Sequence, residues 1–339
     1  MCFRTFRALS LVLLVSGATS TAFAQDSAAP IRDVAPVVVS GALPGPGLWK
    51  VSKGDHVMWV LGTQAPLPRR MHWQSERVEE ILAASQELIR QPVMGFSVEA
   101  GGFLRSVFLL PRVYGARKNP DGAHLRDVLS EPLYARWMPL RERYLGSGRK
   151  AERMRPVFAA GELWEEALED NDLVQGGIVE PVLERAVKRY GLRQTHPKWV
   201  LKVTDAKALL AEAEHARLDD AGCLEATVEE LEAGPDRLRL RANAWAAGDL
   251  AALRALPDPG RRRSACADAV MESPLLRKRG SDGIDERMQA LWLEAAEKAL
   301  AENKSTFALL PISNLLSDDG YLSELAARGY AVEAPDERI

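Results

Sequence analysis

The residues best suited to metal chemistry in this sequence are its five histidines, His56, His72, His124, His196 and His215. No two of them have the His-x-x-x-His spacing of a helical metal site, and no Cys-x-x-Cys pair is present. His56 stands where a turn meets a predicted strand, and His72 lies just before a predicted helix. Both positions are typical of surface histidines, so spacing alone predicts no metal centre.

Nucleophilic catalysis has equally little support in the sequence. No Gly-x-Ser-x-Gly sequence, the nucleophile elbow of many serine hydrolases, is present. Ser313 follows a predicted strand, but Pro311-Ile312-Ser313-Asn314 does not have the flanking glycines of an elbow. We therefore assign no catalytic residue.

Two groups of arginines could contact an anion. Arg69 and Arg70 follow the first predicted hairpin, and Arg261-Arg262-Arg263 lies in a segment, 258–263, that we predict to be a polar loop. A solvated surface is the simpler interpretation of both groups. The eight tryptophans could form a sugar-stacking surface, but core packing explains most of them.

The cysteines favour an oxidising compartment. Cys2 lies in the N-terminal segment, which leaves Cys223 and Cys266 in the rest of the chain. We predict a disulfide between these two, closing a loop of about 44 residues and adding about 4 kcal/mol of stability in the chain-entropy model. Two buried free thiols are the alternative.

The N-terminus has the order of a secretory signal peptide. Arg4 and Arg7 precede an apolar run from Ala8 to Ala18, and Ala22-Phe23-Ala24 supplies an A-x-A cleavage site. The run is too short to be a stable transmembrane helix. We predict a signal peptide at 1–24, cleavage near Ala24, and a periplasmic or secreted protein.

The composition excludes several classes of protein. Hydrophobic residues make up 47% and charged residues 27% of the chain, which predicts a packed globular core. The net charge of −3 indicates neither nucleic acid nor an anionic membrane as a partner. No second long apolar segment follows the first, so no transmembrane segment is expected in the mature chain.

Strand patterns cluster near the two ends of the chain and helical patterns fill the middle. Residues 48–51 and 56–62 predict a hairpin, and 73–90 predict one amphipathic helix. A helical stretch at 238–256 is broken at Gly248-Asp249. Strands are predicted at 199–203, 305–310 and 329–333.

These elements predict a mixed α/β (α+β) fold that is rich in helix. One central sheet would be built from N- and C-terminal strands, with a large helical insertion between them. We place a flexible lead-in at 25–46, a single domain at 47–335 and a short tail at 336–339.

Both ends of the predicted domain resemble the TraB/GumN family, which is related to the Tiki-type metalloproteases. The N-terminal similarity lies in Gly47-Leu48-Trp49-Lys50-Val51 and Val60-Leu61-Gly62-Thr63. The C-terminal similarity lies in 315–322 and 328–332, and 244–250 resembles an internal helix break of the family. The resemblance spans roughly residues 47–335 and implies the family fold.

The resemblance also implies a metal site whose histidines this sequence lacks. Active members carry a Gly-x-x-His motif after the first hairpin and another near the C-terminus, joined by acidic residues around a divalent metal. Here Ala65 and Asn314 stand at the two histidine positions, Pro311 replaces the second glycine, and Glu99 matches the acidic position. Alanine has no lone pair, and a neutral amide is a poor ligand for a transition metal.

Three hypotheses follow. We favour a non-catalytic envelope protein without a cofactor that binds a ligand or partner, an envelope protein or a glycan, through a degenerate cleft. That cleft would contain Gly62, Thr63, Gln64, Arg69, Arg70, Glu99, Ser313 and Asn314. The alternative is a hydrolase or protease that holds a divalent metal through relocated ligands such as His56, His72 and Glu99. A purely structural or assembly role would leave the cleft closed and filled.

Overall fold

The computed structural model describes residues 45–98, 110–148, 150–258 and 260–335. The predicted signal peptide, most of the predicted lead-in, Glu99 and the predicted tail lie outside these ranges. The strands are β1 (Leu48–Lys53), β2 (His56–Thr63), β3 (Leu67–Pro68), β4 (Glu87–Ile89), β5 (Val93–Val98), β6 (Leu173–Val174), β7 (Arg193–Thr195), β8 (Lys198–Val203), β9 (Ser305–Pro311) and β10 (Ala331–Glu333).

Helices fill most of the chain between the terminal strands, as predicted. They are α1 (Glu76–Ala84), α2 (Leu110–Ala116), α3 (Leu125–Val128), α4 (Glu131–Leu145), α5 (Pro156–Asp170), α6 (Glu180–Tyr190), α7 (Ala206–His215), α8 (Ala221–Glu232), α9 (Pro235–Ala246), α10 (Leu250–Ala255), α11 (Gly260–Met271), α12 (Pro274–Arg277), α13 (Ile284–Glu302), α14 (Ile312–Leu316) and α15 (Tyr321–Ala327). In the described part of the chain, no helix is both long and apolar enough to cross a membrane.

A central mixed sheet of six strands organises the molecule, in the order β10-β1-β2-β9-β4-β7. β1 is antiparallel to both β10 and β2, whereas β2, β9, β4 and β7 run parallel. The mixed α/β class, the hairpin and the pairing of N- and C-terminal strands are confirmed. The edge strand β7 was not predicted, because its sequence Arg193-Gln194-Thr195 has no apolar residue. β8 pairs with β5 in a separate two-stranded sheet.

The prediction of a single helix over 73–90 is wrong. Helix α1 ends at Ala84, and Glu87–Ile89 form strand β4 between β9 and β7. Leu88 and Ile89 are fully buried there. A short apolar run fits a helix face and a buried strand equally well, so pairing with β9 decided the outcome.

The prediction of a polar loop over 258–263 is also wrong in its second half. Helix α11 begins at Gly260, whose backbone N–H donates to Oδ1 of Asp258 at 2.9 Å. The long arginine side chains are good helix formers. Cys266 lies farther along the same helix, and its Sγ is 1.99 Å from that of Cys223 in α8, the distance of a disulfide.

A buried carboxylate joins the amino ends of the parallel strands. Glu87 is only 4% exposed, and its Oε2 accepts hydrogen bonds from Arg193 Nη2 at 2.6 Å and Asn303 Nδ2 at 2.7 Å. Thr195 Oγ1 donates to its other oxygen. Burial alone would raise the pKa of the Glu87 carboxyl, but the hydrogen bonds from Arg193, Thr195 and Asn303 outweigh burial and lower the pKa.

Glu87→Gln is expected to lower the free energy of unfolding at neutral pH by about 2 kcal/mol, because an amide replaces an acceptor that faces three donors. The folded-state pKa lies below the unfolded one. The carboxylate therefore stabilises the fold above the unfolded pKa, and this stability is lost as the pH falls through the folded pKa.

Denaturant unfolding of both proteins at a series of pH values measures this effect. The difference between wild type and Glu87→Gln should shrink as the solution becomes acidic. Glu302→Gln is the control, because Glu302 lies 3.5 Å from the same arginine but is half-exposed. If the difference in free energy of unfolding between the wild type and Glu87→Gln did not vary with pH, the role of the carboxylate would be contradicted.

Candidate functional site

The carboxyl ends of β2 and β9 lie side by side and define the place where a site can form. The two strands are parallel, with Thr63 opposite Pro311 and Gly62 opposite Leu310. The chain segments that follow them, Gln64-Ala65 and the short helix α14, therefore begin at the same edge of the sheet. In α/β sheets, ligands bind in crevices at this edge.

Gly62 is required for packing at this edge. A Cβ placed on it would lie 2.4 Å from Cδ1 and 3.3 Å from Cα of Ile312 in α14. Its carbonyl oxygen accepts a hydrogen bond from Trp245 Nε1 at 2.7 Å. The glycine thus lets α14 pack against β2, and Trp245 holds the strand end from the other side.

Gly62→Val is expected to lower the free energy of unfolding by about 2 to 3 kcal/mol, because the added methyl groups would overlap Ile312 and push α14 off the sheet. Thermal or urea unfolding measures the change. Gly161→Ala in α5 is the matched control, since nothing lies within 4 Å of a Cβ placed there. Equal midpoints for the two variants would show that α14 moves without strain.

A cavity of about 120 Å³ opens at the end of β2, and we call it the strand-end pocket. Ala65 lies in its wall together with apolar residues of the segment 174–179. Its polar lining consists of Thr63, Gln64, Gln91, Gln175, Glu180 and Arg263. Only Thr63 and Gln64 of this lining were among the predicted cleft residues.

Two of the polar side chains of the pocket are already engaged. Gln64 is 7% exposed, its Nε2 donates to the Ala65 carbonyl at 3.1 Å, and its Oε1 accepts from Arg241 Nε at 3.1 Å. The Thr63 hydroxyl lies 3.3 Å from the Leu310 carbonyl oxygen and 3.4 Å from Gln91 Oε1, and its single proton can go to either. These contacts hold Thr63 and Gln64 in place, and we call these two residues the floor of the pocket.

Arg241 in α9 stabilises the floor of the pocket through its hydrogen bond to Gln64. The side chain is 2% exposed and its Nη1 donates to the carbonyls of Leu253 at 2.9 Å and Leu256 at 3.1 Å. Burial lowers the pKa of its guanidinium, and the nearby Asp258 opposes that shift. One buried cation therefore joins the end of β2, helix α9 and the segment after α10.

The three consecutive arginines of α11 have three different environments. Arg261 pairs with Glu229 at 3.0 Å, and Arg262 stacks over the ring of Trp164 at 4.1 Å. Burial, and then repulsion from Arg263, lower the pKa of Arg262 to about 10. Arg263 lies in the wall of the strand-end pocket and makes no hydrogen bond or ion pair within the described residues.

The other predicted cleft residues lie apart from this pocket. Ser313 lines a separate, open groove of about 570 Å³ beside Arg241 and Asp258. Asn314 follows it in α14, and its side chain makes no hydrogen bond to any residue the structure describes. Arg69 pairs with Asp172 at 3.1 Å, while Arg70 is exposed. Glu99 lies outside the described residues.

The two histidines considered as relocated ligands are also elsewhere. His56 is the first residue of β2, so it stands about 23 Å along the strand from Thr63. Its Nε2 lies 3.6 Å from Asp55 Oδ1 and 3.4 Å from Lys304 Nζ. His72 is exposed in the segment between β3 and α1. The structure does not bring His56 to the strand-end pocket.

The residues at the strand ends do not fit the divalent metal that the family resemblance implies. Ala65 offers no donor atom, and Gln64 Oε1 already accepts from a guanidinium. Across the described ranges, no group of three or more His, Cys, Asp or Glu side chains is arranged to hold a metal ion. Arg263 in the wall and Arg241 beneath the floor add two positive charges near any divalent ion held at the end of β2, which disfavours it.

The remaining polar residues of the pocket could not be found from sequence spacing. Gln91, Gln175, Glu180 and Arg263 lie far apart in the chain and belong to no motif. The helical spacing of apolar residues after Gly260 was the one available signal, because it would have placed Arg263 in the first turn of a helix.

Comparison with known proteins identifies one family. Neither a search of curated proteins nor a search of solved structures gave a match. The model of one family, described as the TraB/PrgY/gumN family, matches residues 47–334. These residues include every strand of the central sheet and every residue that lines the strand-end pocket. The chain is therefore a member of the TraB/PrgY/gumN family.

Proposed function

We propose that this chain is an exported, non-catalytic binding or accessory protein of the cell envelope, which binds a small polar ligand in the strand-end pocket without a metal. The observation that carries the proposal is the lining of the pocket. Ala65, which the family resemblance places at a histidine position of active members, lies in the wall with amide, hydroxyl, carboxylate and guanidinium groups. These groups can bind a polar ligand through hydrogen bonds and charge.

Export is supported by two features. The N-terminal sequence has the order of a signal peptide, with cleavage expected near Ala24. Cys223 and Cys266 lie at disulfide distance, which fits an oxidising compartment such as the periplasm or the exterior.

An open pocket favours binding over a purely structural role. A family member used only for assembly would be expected to fill its cleft with side chains. Here a cavity of about 120 Å³ remains at the end of β2, with polar groups facing it. Polar groups that face an open pocket are available to a ligand, which supports a binding role.

Metal content measured by mass spectrometry is the first test. Protein purified without affinity tags or chelators should contain much less than one transition-metal ion per chain. Dialysis against EDTA should leave its thermal midpoint unchanged, because no metal bond stabilises the fold. The same two preparations should be equally inactive towards a general peptide substrate.

The opposite result would support the hydrolase alternative. Stoichiometric zinc or manganese, a lower midpoint after EDTA, and hydrolysis restored by the metal would together overturn the proposal. The ligands would then have to include residues outside the described ranges, such as Glu99.

A further inference from the structure

The strand-end pocket contains one group of each charge, and no ion pair joins them. Glu180 is the first residue of α6, and its Oε2 accepts from the backbone N–H of Gly177 at 2.9 Å. Arg263 has neither a carboxylate partner nor a hydrogen bond among the described residues. Both side chains are exposed in the protein alone, so both are available to a ligand.

The placement of Arg263 makes an anion favourable beside it. Arg262 immediately precedes Arg263 in the chain. The repulsion between the guanidinium groups of Arg262 and Arg263 contributes to the lowered pKa of Arg262. Arg261 pairs with Glu229, whereas no carboxylate among the described residues lies within ion-pair distance of Arg263. A planar carboxylate can accept two parallel hydrogen bonds from a guanidinium, and such a pair is stronger than a neutral hydrogen bond.

The rest of the pocket suits a cation and a few neutral hydrogen bonds. Glu180 keeps Oε1 available for an ammonium group. The amide nitrogens of Gln91 and Gln175 have no acceptor among the residues that the structure describes. A cavity of about 120 Å³ corresponds to about four water molecules, which is the size of a small molecule and not of a macromolecular surface.

We propose that the strand-end pocket binds a small zwitterion of the α-amino-acid type. Its carboxylate pairs with Arg263, its ammonium group pairs with Glu180, and the glutamine amides complete its hydrogen bonds. This inference rests on the proposed binding function of the same pocket and adds the chemical class of the ligand. It explains why the two charges of the pocket remain separate in the protein.

Isothermal titration with alanine as the probe tests this assignment on the whole mature chain. Propionate, which lacks the ammonium group, and ethylamine, which lacks the carboxylate, are the comparison ligands. Alanine should bind at least about tenfold more tightly than either, since each loses one charge-assisted pair. Equal affinities of alanine and propionate would overturn the zwitterion assignment.

Three variants locate the binding site. Arg263→Gln should weaken alanine binding by about tenfold or more, whereas Arg261→Gln, two residues away and paired outside the pocket, should not change it. Glu180→Gln should weaken alanine binding but leave propionate binding unchanged. All three positions are exposed, so thermal midpoints should stay near that of the wild type and confirm folding.

The outcomes separate this inference from the proposed function. Absence of alanine binding, or an equal effect of Arg261→Gln and Arg263→Gln, overturns the zwitterion. If glycerol, a neutral polyol, binds instead and the charge variants do not affect it, the pocket still binds a ligand but not this class. Stoichiometric metal with metal-dependent hydrolysis would overturn the proposed function itself.

Discussion

Arg241→Met is expected to lower the free energy of unfolding by about 4 kcal/mol, among the largest effects of any single substitution in this chain. The guanidinium is 2% exposed and donates to Gln64 Oε1 and to the backbone carbonyls of Leu253, Leu256 and Pro257. Methionine fills most of the volume but leaves these acceptors without their donor, and each buried orphaned acceptor costs about 1 to 3 kcal/mol.

Urea unfolding followed by tryptophan fluorescence measures this loss. Arg239→Met is the matched control, because Arg239 lies on the same helix and bonds to Asp236 and to the Asn171 carbonyl, but its side chain is 39% exposed. The control should lose about 1 kcal/mol or less. Equal losses in the two variants would mean that Arg241 does not hold the floor of the pocket.

Arg241→Met should also disturb binding, because Gln64 loses the contact that orients it. In the zwitterion assay, its affinity for alanine should fall even under conditions where the variant is fully folded. Unchanged affinity would indicate that the pocket keeps its shape without this contact.

The terminal part of the fold could be predicted because its pattern is local. Leu48–Thr63 alternates and turns as a hairpin does, and 305–310 is apolar enough to be a buried strand. The short strands β4 and β7 could not be predicted in the same way. Glu87–Ile89 and Arg193–Thr195 are three residues each. Pairing of β4 with β9, pairing of β7 with β4 and the hydrogen bonds to Glu87 make them strands.

Some residues of the site could likewise be predicted from the sequence, and others could not. Thr63 and Gln64 were found because they follow a strand that was itself predictable, and they do line the pocket. The family resemblance predicts Ser313 in the same cleft, because Pro311-Ile312-Ser313-Asn314 aligns with the second Gly-x-x-His motif. However, α14 turns away at once and carries Ser313 into another groove. Gln91, Gln175, Glu180 and Arg263 arrive from four separate segments, which no spacing along the chain could reveal.

A family fold can keep its strand ends while the chemistry placed there changes. The packing of Gly62 against Ile312 and the hydrogen bond from Trp245 position the end of β2 whatever residue follows it. The fold therefore does not depend on Ala65, which the family resemblance places at a histidine position. The two charged residues of the pocket wall, Glu180 and Arg263, come from α6 and α11, which lie outside the two terminal motifs.

Breaking the link between Cys223 and Cys266 is expected to lower the free energy of unfolding by about 4 kcal/mol in the chain-entropy model, since about 44 residues of loop gain freedom in the unfolded chain. The double variant Cys223→Ser/Cys266→Ser should show this loss in urea unfolding. Ser264→Ala, at an exposed position of α11, is the control and should change stability by less than about 0.5 kcal/mol.

The double variant Cys223→Ser/Cys266→Ser should also weaken ligand binding, because the bridge links α11 to the buried helix α8. Arg263 lies one turn before Cys266 on α11, so a freer helix would hold the guanidinium less firmly over the pocket. The entropy lost on binding alanine would then rise, so the affinity for alanine should fall towards that of ethylamine, which lacks the carboxylate that Arg263 binds. A double variant that loses stability but binds alanine as tightly as the wild type would show that packing alone positions Arg263.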